Sequence, residues 1–269
     1  MTDGGSDLAA QVGDLSRRLQ ALEAELEQLQ ATRTGDATMW GPRFAEIYDE
    51  FTDRFRGSTA DVTAKLQGYL PDVRRLVHAG GVVDIGCGRG EWLTLLRDAG
   101  VRSCGVDTNP AFVTAAVEWG LAVELGDAVG YLRALRQDSV DMVTCFHVIE
   151  HLDTEQLLAL LEAARGTLRP GGCLLVETPN PQNLVMAACD FYNDPTHRSP
   201  LPPALTEYLV SSQGFVDIEV RALHPKSLPA PTEGTGEDSP AQLPELLQRL
   251  LFGPQDYAVL GYKGAETSQ

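Results

Sequence analysis

A glycine-rich stretch in the first half of the chain has the composition of a ligand-binding bend. It reads DIGCGRG over residues 84–90, where an apolar run ends and an amphipathic one begins. Glycine lets the backbone turn sharply and leaves main-chain N–H groups open to a ligand. The spacing alone is a weak indicator, because nicotinamide-dependent enzymes use a similar one.

Two acidic residues narrow the ligand to one that contains adenosine. Asp107 ends the next apolar run, about 20 residues after the bend, where a carboxylate can accept hydrogen bonds from a ribose diol. The tripeptide GDA at 126–128 follows the third apolar run, where Asp127 can bind an adenine amino group. Dehydrogenases do not share this third element, so the combination favours a different adenosine cofactor.

A cluster of imidazoles and carboxylates follows the fourth apolar run. His147 stands where an open parallel sheet places an active-site base. If the chain turns helical there, Glu150 and His151 lie one turn away, and His197 can approach from a later segment. These ligand types suit zinc, manganese or cobalt better than magnesium. The pattern predicts either a divalent metal site or, alternatively, a helix cap beside a single catalytic histidine.

Alternating strands and helices must position these side chains. The apolar patterns predict strands over 81–86, 103–107, 121–125, 140–148, 173–179, 215–220 and 256–263. They predict helices over 91–99, 110–119, 128–136, 154–168, 204–212 and 243–251, with a turn at 170–172 and a loop at 228–240. Continuous apolar strands separated by helices indicate an α/β fold with a parallel sheet covered on both faces.

The first 35 residues follow a different period. Apolar residues recur in a heptad pattern at Leu8, Val12, Leu15, Leu19, Leu22, Leu26 and Leu29. This pattern predicts a coiled-coil oligomerisation helix over 1–35, as a dimer or a trimer; the alternative is one amphipathic helix packed on its own domain. A helical extension over 36–78 and an α/β domain over 79–269 complete the predicted organisation.

The bulk composition excludes some partners. A formal charge of −17 argues against a general nucleic-acid binder, because a duplex would repel such a surface. Five scattered cysteines without a CxxC pair favour a reducing compartment. With no secretory leader pattern and no membrane-spanning run, we expect a cytoplasmic protein.

Taken together, these segments resemble the class I S-adenosylmethionine-dependent methyltransferases. The resemblance rests on DIGCGRG, GVD at 105–107, GDA at 126–128, CFHVIEHL at 145–152 and LRPGG at 168–172, and covers roughly residues 80–220. It implies a Rossmann-like, seven-stranded, mostly parallel sheet with an antiparallel last strand, and S-adenosylmethionine as cofactor.

The resemblance also implies a set of cofactor contacts. The three glycines of the bend would approach the methionyl part, Asp107 would hold the ribose, and Asp127 with Ala128 would take the adenine end. Arg56 would reach the cofactor carboxylate. The complete implied set is Arg56, Asp84, Gly86, Gly88, Gly90, Asp107, Asp127, Ala128 and Phe146.

The histidine cluster resembles the Glu-x-x-Glu-His…His arrangement of metal-dependent RNA-end and quinone O-methyltransferases. His147 stands in place of the first glutamate. The resemblance implies a divalent metal held by His147, Glu150, His151 and His197.

The segment 179–203 indicates which class of acceptor the resemblance implies. ETPNPQN at 177–183, FYNDPTHRSPLPP at 191–203 and FRGS at 55–58 resemble methyltransferases found with bacterial polysaccharide assembly genes. Those include the O-antigen chain-terminating methyltransferase domain and the actinobacterial mannoside O-methyltransferases. The segment would then be a lid that carries Asp194 and His197, which join His147 in the catalytic set.

These inferences favour O-methyl transfer to a sugar hydroxyl of a glycan or oligosaccharide, with a mannoside as one candidate. The alternatives are a small-molecule or quinone-type O-methyltransferase and a non-catalytic, cofactor-binding scaffold that recruits partners through its coiled coil. Methylation of an acceptor separates the enzymes from the scaffold.

Overall fold

A computed structural model of the chain describes residues 48–226 and 244–265. The predicted heptad helix over 1–35 and the predicted loop over 228–240 lie outside these residues, and the domain boundaries stay predictions. None of the helices in the described part is long and apolar enough to cross a membrane.

Seven strands form one mixed sheet. They are β1 Val82–Ile85, β2 Ser103–Asp107, β3 Val123–Leu125, β4 Val140–Phe146, β5 Leu168–Pro179, β6 Phe215–Pro225 and β7 Pro254–Lys263. The order across the sheet is β3-β2-β1-β4-β5-β7-β6. The first five strands pair in parallel, and β7 runs antiparallel between β5 and β6. The predicted fold class is confirmed.

Helices flank the sheet and precede it. They are α1 Tyr48–Phe55, α2 Thr59–Leu66, α3 Leu70–Leu76, α4 Glu91–Asp98, α5 Pro110–Glu118, α6 Ala128–Ala134, α7 Thr154–Thr167, α8 Leu184–Ala188, α9 Pro203–Ser212 and α10 Glu245–Phe252. Short 3-10 segments lie at Gln67–Tyr69, Ile149–His151 and Asp190–Asn193.

The alternation of side chains along each strand builds two cores. In β1, Val83 and Ile85 pack into the layer under α7 and α9, whereas Val82 faces the layer under α2 and α4. A strand presents successive residues to opposite faces, so both faces of β1 are buried and its sequence is continuously apolar apart from Asp84.

The predicted turn at 170–172 is wrong. Residues 169–172 form a bulge inside β5, because Val140 pairs with Leu168 and Met142 pairs with Cys173. Arg169 donates to the carboxylate of Asp141, the single residue opposite the bulge. This long-range pairing overrides the local turn preference of the PGG sequence.

The topology brings the ends of six strands to one edge of the sheet. The parallel strands β1 to β5 end there, and β6 runs in the same direction because it pairs antiparallel to β7. The start of the antiparallel strand β7 reaches the same edge. Side chains at these ends therefore converge, and the candidate site lies among them.

Candidate active site

The glycine bend lies between β1 and α4 and is tied to the end of β2. The amide of Gly86 donates to the carbonyl of Val106 at 2.9 Å. A Cβ on Gly86 would come within 2.4 Å of Val148 Cγ2, whereas one on Gly88 would meet only Arg56, at 3.5 Å. Gly88 thus borders the open cleft, and Gly86 is required by packing.

Asp107, which the sequence predicts to hold the ribose, is hydrogen-bonded to the glycine bend. One carboxylate oxygen accepts from the Gly88 amide and the other from the Asn109 amide, each at 2.8 Å. Burial raises the pKa of Asp107, although these amide donors oppose the effect. The ribose contact expected for Asp107 stays a prediction.

Asp84 lies beneath the bend, at the buried end of β1. Its carboxylate accepts a hydrogen bond from the Thr144 hydroxyl at 2.7 Å, and burial raises its pKa to about 7. Its observed partner is therefore the neighbouring strand, and its predicted cofactor contact stays a prediction.

Arg56 directly follows α1 and lies next to Gly88 of the glycine bend. Its guanidinium donates to the carbonyl of Phe146, with Nη2 and O 3.4 Å apart. The Phe146 ring packs against the buried rings of Tyr69 and Trp92. Arg56 therefore faces the bend, where a cofactor carboxylate would need a cation.

Asp127 caps a helix. Its carboxylate accepts from the Gly130 amide at 2.7 Å at the start of α6, and Ala128 is the first residue of that helix. The second oxygen of Asp127 is available at the surface, so a cap role and the predicted adenine contact are compatible. The adenine contact stays a prediction.

Glu150, His151 and His197 converge as predicted. One ligand atom from each lies within 4.8 Å of the other two. The 3-10 turn after β4 carries Glu150 and His151, and the segment after α8 brings His197 back against it, with the two imidazole rings 4.7 Å apart.

In this group the second polar atom of each side chain is held by another residue. His197 Nδ1 contacts the Phe191 carbonyl at 2.6 Å, and His151 Nδ1 contacts the Thr196 hydroxyl at 2.8 Å. Glu150 Oε2 accepts from the Thr178 hydroxyl at 2.9 Å. Such partners fix the tautomer and orientation of metal ligands in proteins.

The remaining carboxylate oxygen of Glu150 is unsatisfied. Glu150 is fully buried, and its Oε1 is one of three buried side-chain polar atoms in the described residues without an aligned hydrogen bond. The other two are Trp92 Nε1 and Gln255 Oε1. A buried carboxylate oxygen facing imidazoles fits a divalent cation, because a lone desolvated charge is costly.

The helix-cap alternative for Glu150 and His151 is wrong. The helix that follows, α7, is capped by Asp153, which forms a reciprocal capping box with Gln156. Asp194 borders the pocket, where its carboxylate accepts from the amide and hydroxyl of Thr196.

His147 belongs to a second group, with Glu177 and Asp256. Its Nε2 lies 3.2 Å from Glu177 Oε1 and 3.9 Å from Asp256 Oδ1, and its Nδ1 lies 3.3 Å from Glu150 Oε1. The His147 side chain is 25% exposed, whereas the three carboxylates are at most 4% exposed. The imidazole is therefore the most exposed side chain of the group.

The carboxylates around His147 stabilise its protonated form. Burial lowers the pKa of His147, but its close contacts with the carboxylates of Glu150 and Glu177 outweigh this and raise it to about 10. For Glu150, burial raises the pKa and the contact with His147 lowers it to about 2. In the absence of a cation, this group is an imidazolium among carboxylates.

The sequence analysis missed Glu177 and Asp256. A charged residue inside the apolar run CLLVETP was the available signal for Glu177, because a buried strand rarely carries an unpaired charge. Asp256 gave no such signal, since its position at the same edge depends on the antiparallel direction of β7.

A cavity of about 460 Å³ opens in front of both groups. Its apolar lining residues are Phe51, Phe55, Val62, Leu66, Phe146, Pro179 and Met186. Its polar lining residues include Arg54, Arg56, Lys65, His147, His151, Glu177, Asp194, His197, Lys226 and Asp256. A volume in this range suits a small ligand.

This sheet order, the glycine bend tied to Asp107, and a polar pocket at the strand ends define the class I methyltransferase fold and cofactor site. The model of the family described as methyltransferase domain matches residues 52–219. The chain belongs to this family of S-adenosylmethionine-dependent methyltransferases.

A solved structure supports this membership along most of the chain. The S-adenosylmethionine-dependent methyltransferase from Archaeoglobus fulgidus is 33% identical and superposes with a TM-score of 0.70. The alignment covers 80% of this chain and 99% of that protein.

Curated relatives match over shorter lengths. The ubiquinone biosynthesis O-methyltransferase of Cupriavidus pinatubonensis is 33% identical over 37% of this chain and 41% of its own length. A probable S-adenosylmethionine-dependent methyltransferase of Mycolicibacterium smegmatis is 34% identical over 53% of this chain and 55% of its own length. The chain thus spans about half the length of these relatives.

Proposed function

We propose that the protein transfers a methyl group from S-adenosylmethionine to a hydroxyl of a small molecule, of the phenol or quinol type. The observation that carries this proposal is the cavity of about 460 Å³, in which apolar side chains and His147 with its carboxylates line the same space. The apolar side chains suit a flat ring, and the polar groups suit a hydroxyl that loses its proton.

The comparisons support this acceptor class over a glycan. Relatives from several bacteria carry the name ubiquinone biosynthesis O-methyltransferase. The sugar acceptor expected from the segment 179–203 has no such support among the relatives described above.

The cofactor would lie along the bend, between Asp107 and Arg56. When bound, S-adenosylmethionine supplies a methyl group whose bond to the sulfonium breaks as the bond to the acceptor oxygen forms. Gly88 leaves the backbone accessible, Asp107 receives the ribose hydroxyls and Arg56 pairs with the carboxylate.

His147 is proposed to take the proton of the acceptor hydroxyl once a cation on Glu150 offsets one of the carboxylates that otherwise keep the imidazole protonated. It lines the pocket from the end of β4, and Glu177 and Asp256 would stabilise the imidazolium that forms. Asp194 and His197 line the same pocket and would orient the acceptor.

Glu150, His151 and His197 are proposed to hold a divalent cation, with His147 beside it. The unsatisfied Glu150 oxygen and the fixed imidazole tautomers support this assignment. Such a cation would acidify a nearby hydroxyl and neutralise one of the carboxylates around His147.

An acceptor screen tests the proposal. The full-length protein is incubated with methyl-labelled S-adenosylmethionine and either pyrocatechol or methyl α-mannoside, with and without a chelator. We expect O-methylated catechol by mass spectrometry and its loss with the chelator. Methylation of the mannoside alone would contradict the small-molecule assignment and support the sugar reading.

A further inference from the structure

Four residues lie behind His147, and the proposed reaction uses only two of them, Glu177 and Asp256, as charges beside the imidazolium. The four are Tyr69, Glu177, His224 and Asp256, and we call them the His147 bracket. They come from separate elements: the 3-10 segment before α3, the end of β5, the end of β6 and the start of β7.

In both carboxylates of the His147 bracket, one oxygen contacts another residue of the bracket and the other points toward the His147 ring. Glu177 Oε2 accepts from the Tyr69 hydroxyl, and Glu177 Oε1 lies 3.2 Å from His147 Nε2. Asp256 Oδ2 lies 2.9 Å from His224 Nδ1, and Asp256 Oδ1 lies 3.9 Å from His147 Nε2. A carboxylate held at one oxygen presents the other with little freedom.

The main chain of Glu177 also holds His147. The His147 amide donates to the Glu177 carbonyl at 2.8 Å. His147 has φ of 55°, a left-handed conformation that non-glycine residues adopt only where the surroundings impose it. Glu177 therefore contacts both the backbone and the ring of His147.

We infer that Glu177 and Asp256 are positioning residues that act through His147, because they hold its Nε2 and so keep the ring in place at the edge of the pocket. Tyr69 and His224 orient these two carboxylates. The inference rests on the proposed role of His147 in methyl transfer. It extends that role, because it makes the helical segment before the sheet part of the site through Tyr69.

The ring N–H signal of His147 tests the inference without any acceptor. The probe is 15N-labelled full-length protein saturated with S-adenosylhomocysteine, with His147→Gln used to assign the signal. We expect a protected, downfield N–H in the wild type. Glu177→Leu should lose it, whereas Glu177→Gln and Tyr69→Phe should keep it with exchange faster by about tenfold or more.

Asp141→Asn is the matched control. Asp141 is a buried carboxylate at the opposite end of β4, bound by Arg169. This variant should lower the melting temperature and leave the His147 signal unchanged. If Glu177→Leu does not fold, the His147 signal of the wild type is compared with that of Glu177→Gln and Tyr69→Phe only.

Two outcomes overturn the inference. One is an unchanged His147 signal in both Glu177→Gln and Tyr69→Phe. The other is a metal titration in which the wild type binds two Mn²⁺ ions and Asp256→Asn binds one, because the bracket would then be a cation site. Failure of the catechol screen with an intact signal pattern would reject the proposed acceptor and retain the positioning role.

Discussion

At the scale of single residues, the side chains of the site share one arrangement. One polar atom of each contacts a neighbouring residue, and the other points toward the proposed cation or toward His147. Glu150, His151 and His197 follow this rule toward the proposed cation, and Glu177 and Asp256 follow it toward His147. Preorganisation of this kind lets polar groups act in a buried site without moving at the moment of reaction.

The role of His147 is tested by His147→Gln. Removal of the proton acceptor should lower kcat by about 10²- to 10⁴-fold and leave the affinity for S-adenosylhomocysteine within about twofold. His78→Gln is the matched control, since His78 lies at the opposite end of the sheet, where its amide donates to Asp141. Full activity of His147→Gln would remove it from the mechanism.

The cation site is tested by Glu150→Gln. Replacement of the unsatisfied oxygen by a neutral amide should reduce Mn²⁺ affinity at least about tenfold, measured by calorimetry on chelator-treated protein. Glu162→Gln, on the exposed face of α7, should bind as the wild type does. Equal affinity of all three proteins would contradict the assignment of Glu150 as a ligand.

At the scale of elements, a buried ion pair joins the helical segment to the sheet. Arg221 of β6 binds Asp72 of α3 through two contacts, of 2.5 and 3.1 Å, and Arg75 adds a third at 3.0 Å. Asp72 is 7% exposed. The pair helps to hold the segment that supplies Tyr69 against the sheet.

The Asp72–Arg221 pair makes a pH-dependent contribution to stability. Hydrogen bonds from Arg221 hold the pKa of Asp72 below its ordinary value, although burial opposes them. Its contribution is therefore present above the ordinary aspartate pKa of about 3.9 and is lost as the pH falls through the lowered folded value.

Asp72→Asn should lower the free energy of unfolding by about 2–4 kcal/mol at pH 7, measured by urea denaturation. The difference from the wild type should shrink as the pH falls below about 3.9. Asp98→Asn removes a surface pair with Arg97 and should cost less than about 1 kcal/mol. A pH-independent loss for Asp72→Asn would contradict this account.

Much of the fold follows from local sequence, and parts of the site do not. The strands were predictable because their apolar runs are buried on both faces, and the bend because of its glycines. The bulge at 169–172 and the positions of Glu177 and Asp256 depend on which strands become neighbours. Such pairings are set by the whole sheet, so a local pattern cannot show them.

At the scale of the whole molecule, the heptads of residues 1–35 are predicted to serve assembly and not cofactor binding. Deletion of residues 1–35 should lower the oligomeric state measured by light scattering and leave cofactor binding unchanged, because the bend and Asp107 lie far along the chain. A truncated protein with the mass of the full-length assembly would contradict the predicted role of the heptads.

The central claim is that an adenosyl sulfonium binds at the glycine bend, with its ribose on Asp107. Calorimetric titration of S-adenosylhomocysteine into the wild type and Asp107→Ala tests it most directly. We predict binding to the wild type and an affinity weaker by about 10- to 100-fold in the folded variant, because a charged hydrogen-bond acceptor is lost. Equal affinities, or a wild type that binds NAD instead, would contradict the account.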